Sequence, residues 1–337
     1  MSQDVVRVLV VDDSASVRSL IVKILDNEPG IRVVGTAASG VTAIDAIKRL
    51  APDVVTLDVE MPGMDGMELL KRIRLTHPRL PVIMFSHLTQ RGAVTTIDAM
   101  FHGATDFVGK PSNTGGAEAA REYVRTRLIP KLLAMKARPA DAQRSMPPVP
   151  RAAPVSLRSD SKSIIAIGSS TGGPVVLDEL VCALPRDFSI PVVVVQHMPS
   201  MFTKLLADRM SARARVSVVE ATKGEPVVAG KVIIAPGDHH LMLRRDGGAF
   251  VAELIDCEPG DTSCPSVDML FRSVARLCGS GAVGVVLTGM GSDGLEGSRS
   301  IVDAGGRVYV QDEASSVVWG MPGQIARAGL ATAVLPV

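Results

Sequence analysis

Short β-branched runs and stretches of helical period alternate along most of this chain. In the first third, apolar runs at 7–11, 32–37, 54–58, 82–86 and 106–108 are each followed by a segment whose apolar residues recur about every 3.6 positions. Such βα repetition predicts a flavodoxin-like, doubly wound sheet of five parallel strands, with its chemistry at the strands' carboxyl ends.

From residue 163 the alternation resumes, with strands predicted at 164–168, 192–196, 216–220, 231–235, 282–288 and 307–311. Several of these runs are apolar throughout, as in parallel strands buried on both faces. The second half is therefore predicted to be another doubly wound, mostly parallel α/β domain. A stretch at 239–255 with a turn at Asp246-Gly247-Gly248 predicts an added antiparallel hairpin. Between the two patterns Pro130, Pro139, Pro147, Pro148, Pro150 and Pro154 fall among Arg, Lys, Ala and Ser, with few large apolar residues to bury. The expected organisation is a first domain over 1–125, a proline-rich linker over 126–162 and a second domain over 163–337. Residues 121–137 could carry a helix out of the first domain.

Composition narrows the possibilities. A length of 337 residues suits two domains, and a formal net charge of +1 argues against a chain-wide nucleic-acid footprint. The N-terminus, Met1-Ser2-Gln3-Asp4, has no basic stretch followed by an apolar core, and no apolar run reaches about 20 residues. The expectation is a cytoplasmic protein without membrane insertion. Cys182, Cys257, Cys264 and Cys278 lack C-x-x-C spacing and are expected as buried thiols.

Asp12 and Asp13 follow the first predicted strand, and Asp58 ends the third. A parallel sheet would gather these three carboxylates at one edge, where like charges repel unless a hard cation such as Mg²⁺ joins them. Ser86 and Lys110 end later strands at the same edge and could offer a hydroxyl and an ammonium to a phosphoryl group. Taken singly, Asp13 or Ser14 could merely cap the next helix, and Asp58 could open the Pro62-Gly63 turn. Taken together, Asp12, Asp13, Asp58, Ser86 and Lys110-Pro111 resemble the receiver domain of two-component response regulators, over about residues 5–125. The resemblance implies phosphotransfer from a histidine kinase to Asp58 with Mg²⁺ bound, and Ser86 and Phe107 as switch residues. Phe107 stands where many receivers carry tyrosine.

In the second half, Gly168-Ser169-Ser170-Thr171-Gly172 fits G-x-S-x-G, a strand-to-helix turn that exposes a serine. Helix N-termini also hold phosphate, so a nucleotide loop is an alternative, weakened because Gly172-Gly173-Pro174 replaces the Gly-Lys-Ser/Thr of a Walker loop. A serine nucleophile needs a base, and His197 follows another predicted strand, 192–196. A carboxylate at a third strand end is offered by Asp293 in Thr288-Gly289-Met290-Gly291-Ser292-Asp293-Gly294, although Asp293 could simply cap a helix. The order Ser, His, Asp is not that of α/β-hydrolases.

These segments, with Gln196-His197-Met198-Pro199, Ala235-Pro236-Gly237-Asp238 and Gly320-Met321-Pro322, resemble the catalytic domain of the chemotaxis protein-glutamate methylesterases, the CheB family. The resemblance implies Ser170 as nucleophile, His197 as base then acid, Asp293 as the group orienting the imidazole, and backbone N–H groups of Met290 and, more weakly, Thr171 at the oxyanion. It implies glutamyl methyl esters on chemoreceptor cytoplasmic domains as substrates, receptor glutamines as amide substrates, and no catalytic metal. It also implies an unphosphorylated receiver that limits receptor access. Position 169 is serine where the family often has alanine. Two rivals stand beside this reading: a DNA-binding output domain, which the α/β pattern disfavours, and the nucleotide module. His239 and His240 are expected to diverge, with His240 at most in a site wall.

Overall fold

The computed structural model describes residues 5–87, 89–111, 116–135 and 163–337. Contacts divide the chain into two compact units, Met1–Arg144 and Ser145–Val337.

The first unit alternates strands and helices: β1 (Val6–Val11), α1 (Ala15–Leu25), β2 (Ile31–Ala37), α2 (Gly40–Leu50), β3 (Val54–Asp58), α3 (Gly66–Thr76), β4 (Val82–Ser86), α4 (Gln90–Phe101), β5 (Asp106–Gly109), α5 (Gly116–Arg127) and α6 (Ile129–Ala134). The five strands pair in the order β2-β1-β3-β4-β5, all parallel. This is the predicted doubly wound sheet. The central strands are buried along their length, as β3 and β4 show, because helices cover both faces.

The linker predicted over 126–162 includes residues that belong to the first unit: Leu128, Ile129, Leu132 and Met135 are buried in the core beside Val6, Val8 and Val10 of β1. Lys131 also pairs with Asp106 on β5. Pro130 does not break the chain because it sits in the first turn of α6, where its missing N–H would have no partner anyway. The rest of the expected linker, 136–162, lies outside the described residues.

The second unit runs β6 (Ile164–Ser169), α7 (Gly173–Ala183), β7 (Val192–Gln196), α8 (Ser200–Ser211), β8 (Ser217–Glu220), β9 (Lys231–Ile234), β10 (His239–Asp246), β11 (Ala249–Asp256), α9 (Val267–Cys278), β12 (Ala282–Val286), α10 (Leu295–Asp303), β13 (Arg307–Gln311), α11 (Met321–Arg327) and β14 (Ala333–Leu335). Its sheet has the order β14-β13-β12-β6-β7-β9-β8, and every pairing is parallel. The edge strand β14 escapes a sequence reading, since three residues carry too little periodicity.

Strands β10 and β11 form the predicted hairpin, with Asp246 opposite Ala249. The loop between them, Gly247-Gly248, has φ of 54° and 93°, as a tight turn with two left-handed residues requires. Leu241, Leu243 and Ala252 of the hairpin join Leu270, Phe271 and Val274 of α9 in one core cluster. Helix α9 owes its place to apolar residues at Val267, Leu270, Phe271, Val274, Ala275 and Cys278, one stripe at helical spacing. Cutting Phe271, fully buried, to alanine would cost about 3–5 kcal/mol.

The cysteines depart from expectation. Cys257 and Cys264 are joined as a disulfide, with Cα atoms 6.0 Å apart, while Cys182 and the buried Cys278 are free. The loop after β11 folds back to join two residues that no C-x-x-C spacing links.

Candidate active site and phosphoacceptor pocket

In the first unit the chain reverses its winding between β1 and β3, the adjacent strands that deliver Asp12 and Asp58 to one crevice. Lys110, just past β5, reaches both: its Nζ lies 2.8 Å from Asp12 Oδ2 and 2.7 Å from Asp58 Oδ2, and all three side chains are buried. Burial pushes the Asp58 carboxyl up to about 6, with the Asp12 charge adding to the rise and Lys110 opposing it. Burial alone would lower the Lys110 ammonium, but its bonds to Asp12 and Asp58 outweigh that and raise it.

Asp13, exposed, completes a set with Asp12 and Asp58 whose ligand oxygens all lie within 4.8 Å of one another. Three carboxylates of which one is held partly against ionisation fit a hard divalent cation such as Mg²⁺ by donor type and by charge. Ser86 is buried at the end of β4 with its hydroxyl on the His87 carbonyl at 3.1 Å, and Phe107 is buried in β5. The capping role belongs to Ser14, whose Oγ accepts from Val17 N–H, so the three aspartates are not needed for it.

In the second unit the winding reverses between β6 and β12, and the three candidates sit at the ends of the adjacent strands β12, β6 and β7. Ser169 of β6 lies opposite Gln196 of β7, so Ser170 and His197 are the next residues on neighbouring strands. The His197 N–H donates to the Ser169 carbonyl at 3.0 Å, which closes that end of the pair.

Gly172 follows with φ of 80°, a backbone turn suited to glycine, and starts α7 so that the chain leaves the sheet directly after Ser170. Gly289 comes so near that a Cβ there would lie 2.9 Å from the Ser170 Cβ. A side chain at 289 would displace the serine.

His197 Nε2 and Asp293 Oδ2 are 2.8 Å apart, with side chains only 18% and 10% exposed. Asp293 Oδ2 also accepts from Val267 N–H at 2.8 Å, and Oδ1 accepts from Asp268 N–H at 2.9 Å and from the Ser266 hydroxyl at 3.1 Å. Burial pushes this carboxyl up, but the bonds from His197 and the two backbone N–H groups prevail and hold it below the usual carboxylate range. Asp293 does cap a helix, as its alternative reading allows, but the helix is α9, reached through tertiary contact. Its own helix, α10, is capped in exchange by Asp268, whose Oδ1 accepts from Gly294 and Gly297 N–H at 3.0 and 2.6 Å. The two acids thus lock α9 and α10 together beneath the imidazole.

Sequence reasoning missed three further residues. Gln196, buried, accepts from the Ser169 hydroxyl at 2.7 Å and donates through Nε2 to the carbonyls of Ser170 at 2.9 Å and His197 at 3.2 Å. Thr288 receives the Ser170 N–H on its carbonyl at 3.1 Å, and its hydroxyl lies 3.0 Å from the Thr171 carbonyl. Ser266 is the N-cap of α9, which the pattern Ser266-Val267-Asp268 before an apolar stripe could have signalled. The Met290 N–H makes no backbone hydrogen bond among the described residues, while its neighbour Gly289 is tied down through N–H to Val318 and through its carbonyl to Gly320 and Met321. The last pair explains why Gly320-Met321-Pro322 belongs to the site.

Known protein families match both units. The CheB methylesterase family matches residues 165–337, and the response regulator receiver domain matches residues 8–120. A protein-glutamate methylesterase/protein-glutamine glutaminase of Trichodesmium erythraeum (strain IMS101) is 48% identical over 335 residues, covering 98% of this chain and 95% of the relative. This chain belongs to the CheB methylesterase family.

It is thereby a carboxylic ester hydrolase with a receiver domain in front. A relative of the same name from Nocardioides sp. (strain ATCC BAA-499 / JS614) is 46% identical over 338 residues, covering 98% of this chain and 92% of its own length. The crystal structure of the Thermotoga maritima CheB methylesterase catalytic domain is 42% identical, with a TM-score of 0.50, and covers 52% of this chain and 92% of its own. Both rival readings, the DNA-binding output domain and the nucleotide module, fall with these matches. Among the described residues no helix is long and apolar enough to cross a membrane.

Proposed function

We propose that this chain is a phosphorylation-regulated serine hydrolase that removes methyl esters from glutamate side chains of chemoreceptor cytoplasmic domains and deamidates receptor glutamines. The observation that carries the hydrolase reading is the His197–Asp293 contact of 2.8 Å at a strand end next in register to Ser170.

Ser170 Oγ attacks the ester carbonyl carbon while His197 takes its proton. Since Nε2 faces Asp293, Nδ1 is the nitrogen that receives it. Asp293, charged and held by the α9 amino terminus, fixes the ring and stabilises the imidazolium that forms. The tetrahedral oxyanion rests on the Met290 N–H, with Thr171 N–H as a second donor. Collapse expels methanol, protonated by His197. Water, deprotonated by the same imidazole, then cleaves the glutamyl–serine ester and regenerates Ser170 without a catalytic metal. With glutamine the leaving group is ammonia and the later steps are shared.

In the receiver domain a histidine kinase passes a phosphoryl group to an Asp58 oxygen. Mg²⁺ bound by Asp12, Asp13 and Asp58 would screen the like charges and the incoming phosphoryl oxygens. Lys110 then pairs with the phosphoryl group, Ser86 donates its hydroxyl, and Phe107 repacks without the phenolic hydroxyl that many receivers have. Phosphorylation shifts the population toward forms open to receptor substrate. The setting this implies is the cytoplasm.

The test is methanol release from methylated receptor membranes by the full chain, with and without a small phosphodonor such as acetyl phosphate. The expected result is release that Ser170→Ala abolishes and that the phosphodonor raises in wild type but not in Asp58→Asn. Release undiminished in Ser170→Ala would discredit the nucleophile, and equal rates with and without phosphodonor would remove the regulation.

A further inference from the structure

The disulfide loop stands outside everything assigned so far, and it is connected to the triad by an unbroken series of hydrogen bonds. Cys257 and Cys264 bracket Asp261. Asp261 Oδ2 accepts from the Glu258 N–H at 2.7 Å and from His240 Nε2 at 2.9 Å. His240, 3% exposed on β10, accepts at Nδ1 from the Ser266 N–H at 3.2 Å. Ser266 caps α9 and donates its hydroxyl to Asp293 Oδ1, and Asp293 Oδ2 meets His197.

His240 is a central link rather than a site wall. Its tautomer follows from its partners: a backbone N–H can only donate, so Nδ1 carries the lone pair and Nε2 carries the proton given to Asp261. That assignment also weighs the obvious alternative. His240, Cys257 and Cys264 offer ligand atoms within 4.8 Å of one another, which would suit zinc. A metal at Nε2 would need a second lone pair on a ring whose Nδ1 already accepts from the Ser266 N–H. Redox chemistry fits the cluster and metal ligation does not.

We propose that Cys257 and Cys264 are a reversible dithiol/disulfide pair whose state sets how firmly the amino terminus of α9 holds Asp293. Both cysteines are only half-buried and flank exposed residues 258–262, so a small thiol or disulfide can reach them. Oxidation runs by exchange. One cysteine thiolate attacks a low-molecular-weight disulfide and expels one thiolate, and the second cysteine thiolate then attacks the mixed disulfide and expels the other. Two electrons and two protons leave the cysteines, and one disulfide becomes two thiols; a dithiol reductant reverses the step.

With the bond closed, the loop is short and Asp261 is presented to His240 in a fixed place. With it open, the exposed turn at 258–262 regains backbone freedom. The Asp261–His240 bond is then made less of the time, Ser266 loosens, and Asp293 loses part of its support. Cys257 and Cys264 touch no reacting atom in this scheme, so their effect is one of positioning and falls on turnover rather than on substrate binding. The catalytic consequence rests on the triad reading above; the thiol chemistry and the loosening of α9 do not.

The experiment uses the full chain equilibrated with oxidised glutathione or with dithiothreitol. Alkylation and mass measurement should find two free thiols, Cys182 and Cys278, in the first state and all four cysteines in the second. Amide hydrogen exchange at Val267 and Asp268, the two N–H groups on Asp293, should quicken by about tenfold on reduction. Turnover of methyl ester should fall by about three- to tenfold with KM changed less than about twofold. A Cys257→Ser/Cys264→Ser double variant should match the reduced protein under both conditions. Four free thiols in the oxidised sample, or a pair that forms without altering exchange at Val267 and Asp268, would overturn the proposal. Should exchange respond while neither state hydrolyses ester, the redox link stands and the hydrolase reading falls instead.

Discussion

In the receiver domain Asp12 and Asp58 meet where the winding reverses between β1 and β3, and in the catalytic domain the winding reverses between β6 and β12, the adjacent strands that Ser170 and Asp293 follow. Both crevices arise from one topological rule, yet they treat charge in opposite ways. The receiver buries two carboxylates against one lysine and leaves Asp58 half inclined to hold a proton, near 6. The catalytic domain surrounds one carboxylate with N–H and O–H donors and keeps it ionised below the usual range. Under the proposed function, a frustrated carboxylate suits a group that must change its charge by accepting cation and phosphoryl, and a satisfied one suits a group that must stay charged while a proton passes beside it.

The largest effect is expected at the proposed nucleophile. Ser170→Ala should lower kcat for ester hydrolysis by about 10⁴-fold or more, while Asp58 still accepts phosphoryl from a small donor, as followed by phosphate incorporation. Loss of both activities together would mean that the two sites are not chemically separate.

Next in size is Lys110→Met. It leaves two buried carboxylates without their cation and should cost the receiver about 3–5 kcal/mol in denaturant titration, part of it recovered by millimolar Mg²⁺. An unchanged midpoint would show that the lysine does not hold the pair.

Asp58→Asn sharpens the argument through pH. A carboxyl raised in the fold favours the protonated form, so ionising it costs stability as pH rises from the ordinary 3.8 through about 6. The neutral amide escapes that cost. Each pH unit between those two values is worth about 1.4 kcal/mol, so the variant should gain up to about 3 kcal/mol above pH 6 and nothing below the ordinary value. Thermal melts across that window would detect it, and a gain independent of pH would contradict the burial argument. Asp293 predicts the opposite sign: stability present above its ordinary range and lost only as pH falls through its depressed value.

The smallest effect belongs to Gln196→Met, which removes the amide joining the Ser170 and His197 carbonyls. kcat should drop by about tenfold with little change in KM, because Ser170 and His197 are held less well while the binding surface is kept. A rise in KM alone would place Gln196 in substrate binding.

Much of this molecule is legible in its residue pattern. The apolar runs at 54–58, 82–86 and 192–196 coincide with β3, β4 and β7, because strands buried on both faces write themselves as nearly unbroken apolar segments. Ser170, His197, Asp12 and Asp58 follow or close such runs, so each parallel sheet had to bring its own pair to its carboxyl edge. Less is legible where a residue's role depends on a distant partner. Pro130 reads as the start of a linker, but α6 is held by Leu132 and Met135 against β1 and by Lys131 against Asp106. Gln196 reads as the end of a strand and is the clasp between two others. The cysteines read as inert, and two of them are bonded.

Periodicity and connection rules act locally and require no partner, so they suffice for the set of strands, the edge where their ends collect and the residue types delivered there. The bonds that turn those residues into sites come from packing between elements far apart in the chain. Asp293 stays charged because the amino terminus of α9 is packed against it, whereas Lys110 and the single N–H of Glu60 do not offset the burial of Asp58. Desolvation and hydrogen bonding depend on which atoms are neighbours in space, and that is settled only when the whole domain closes around them.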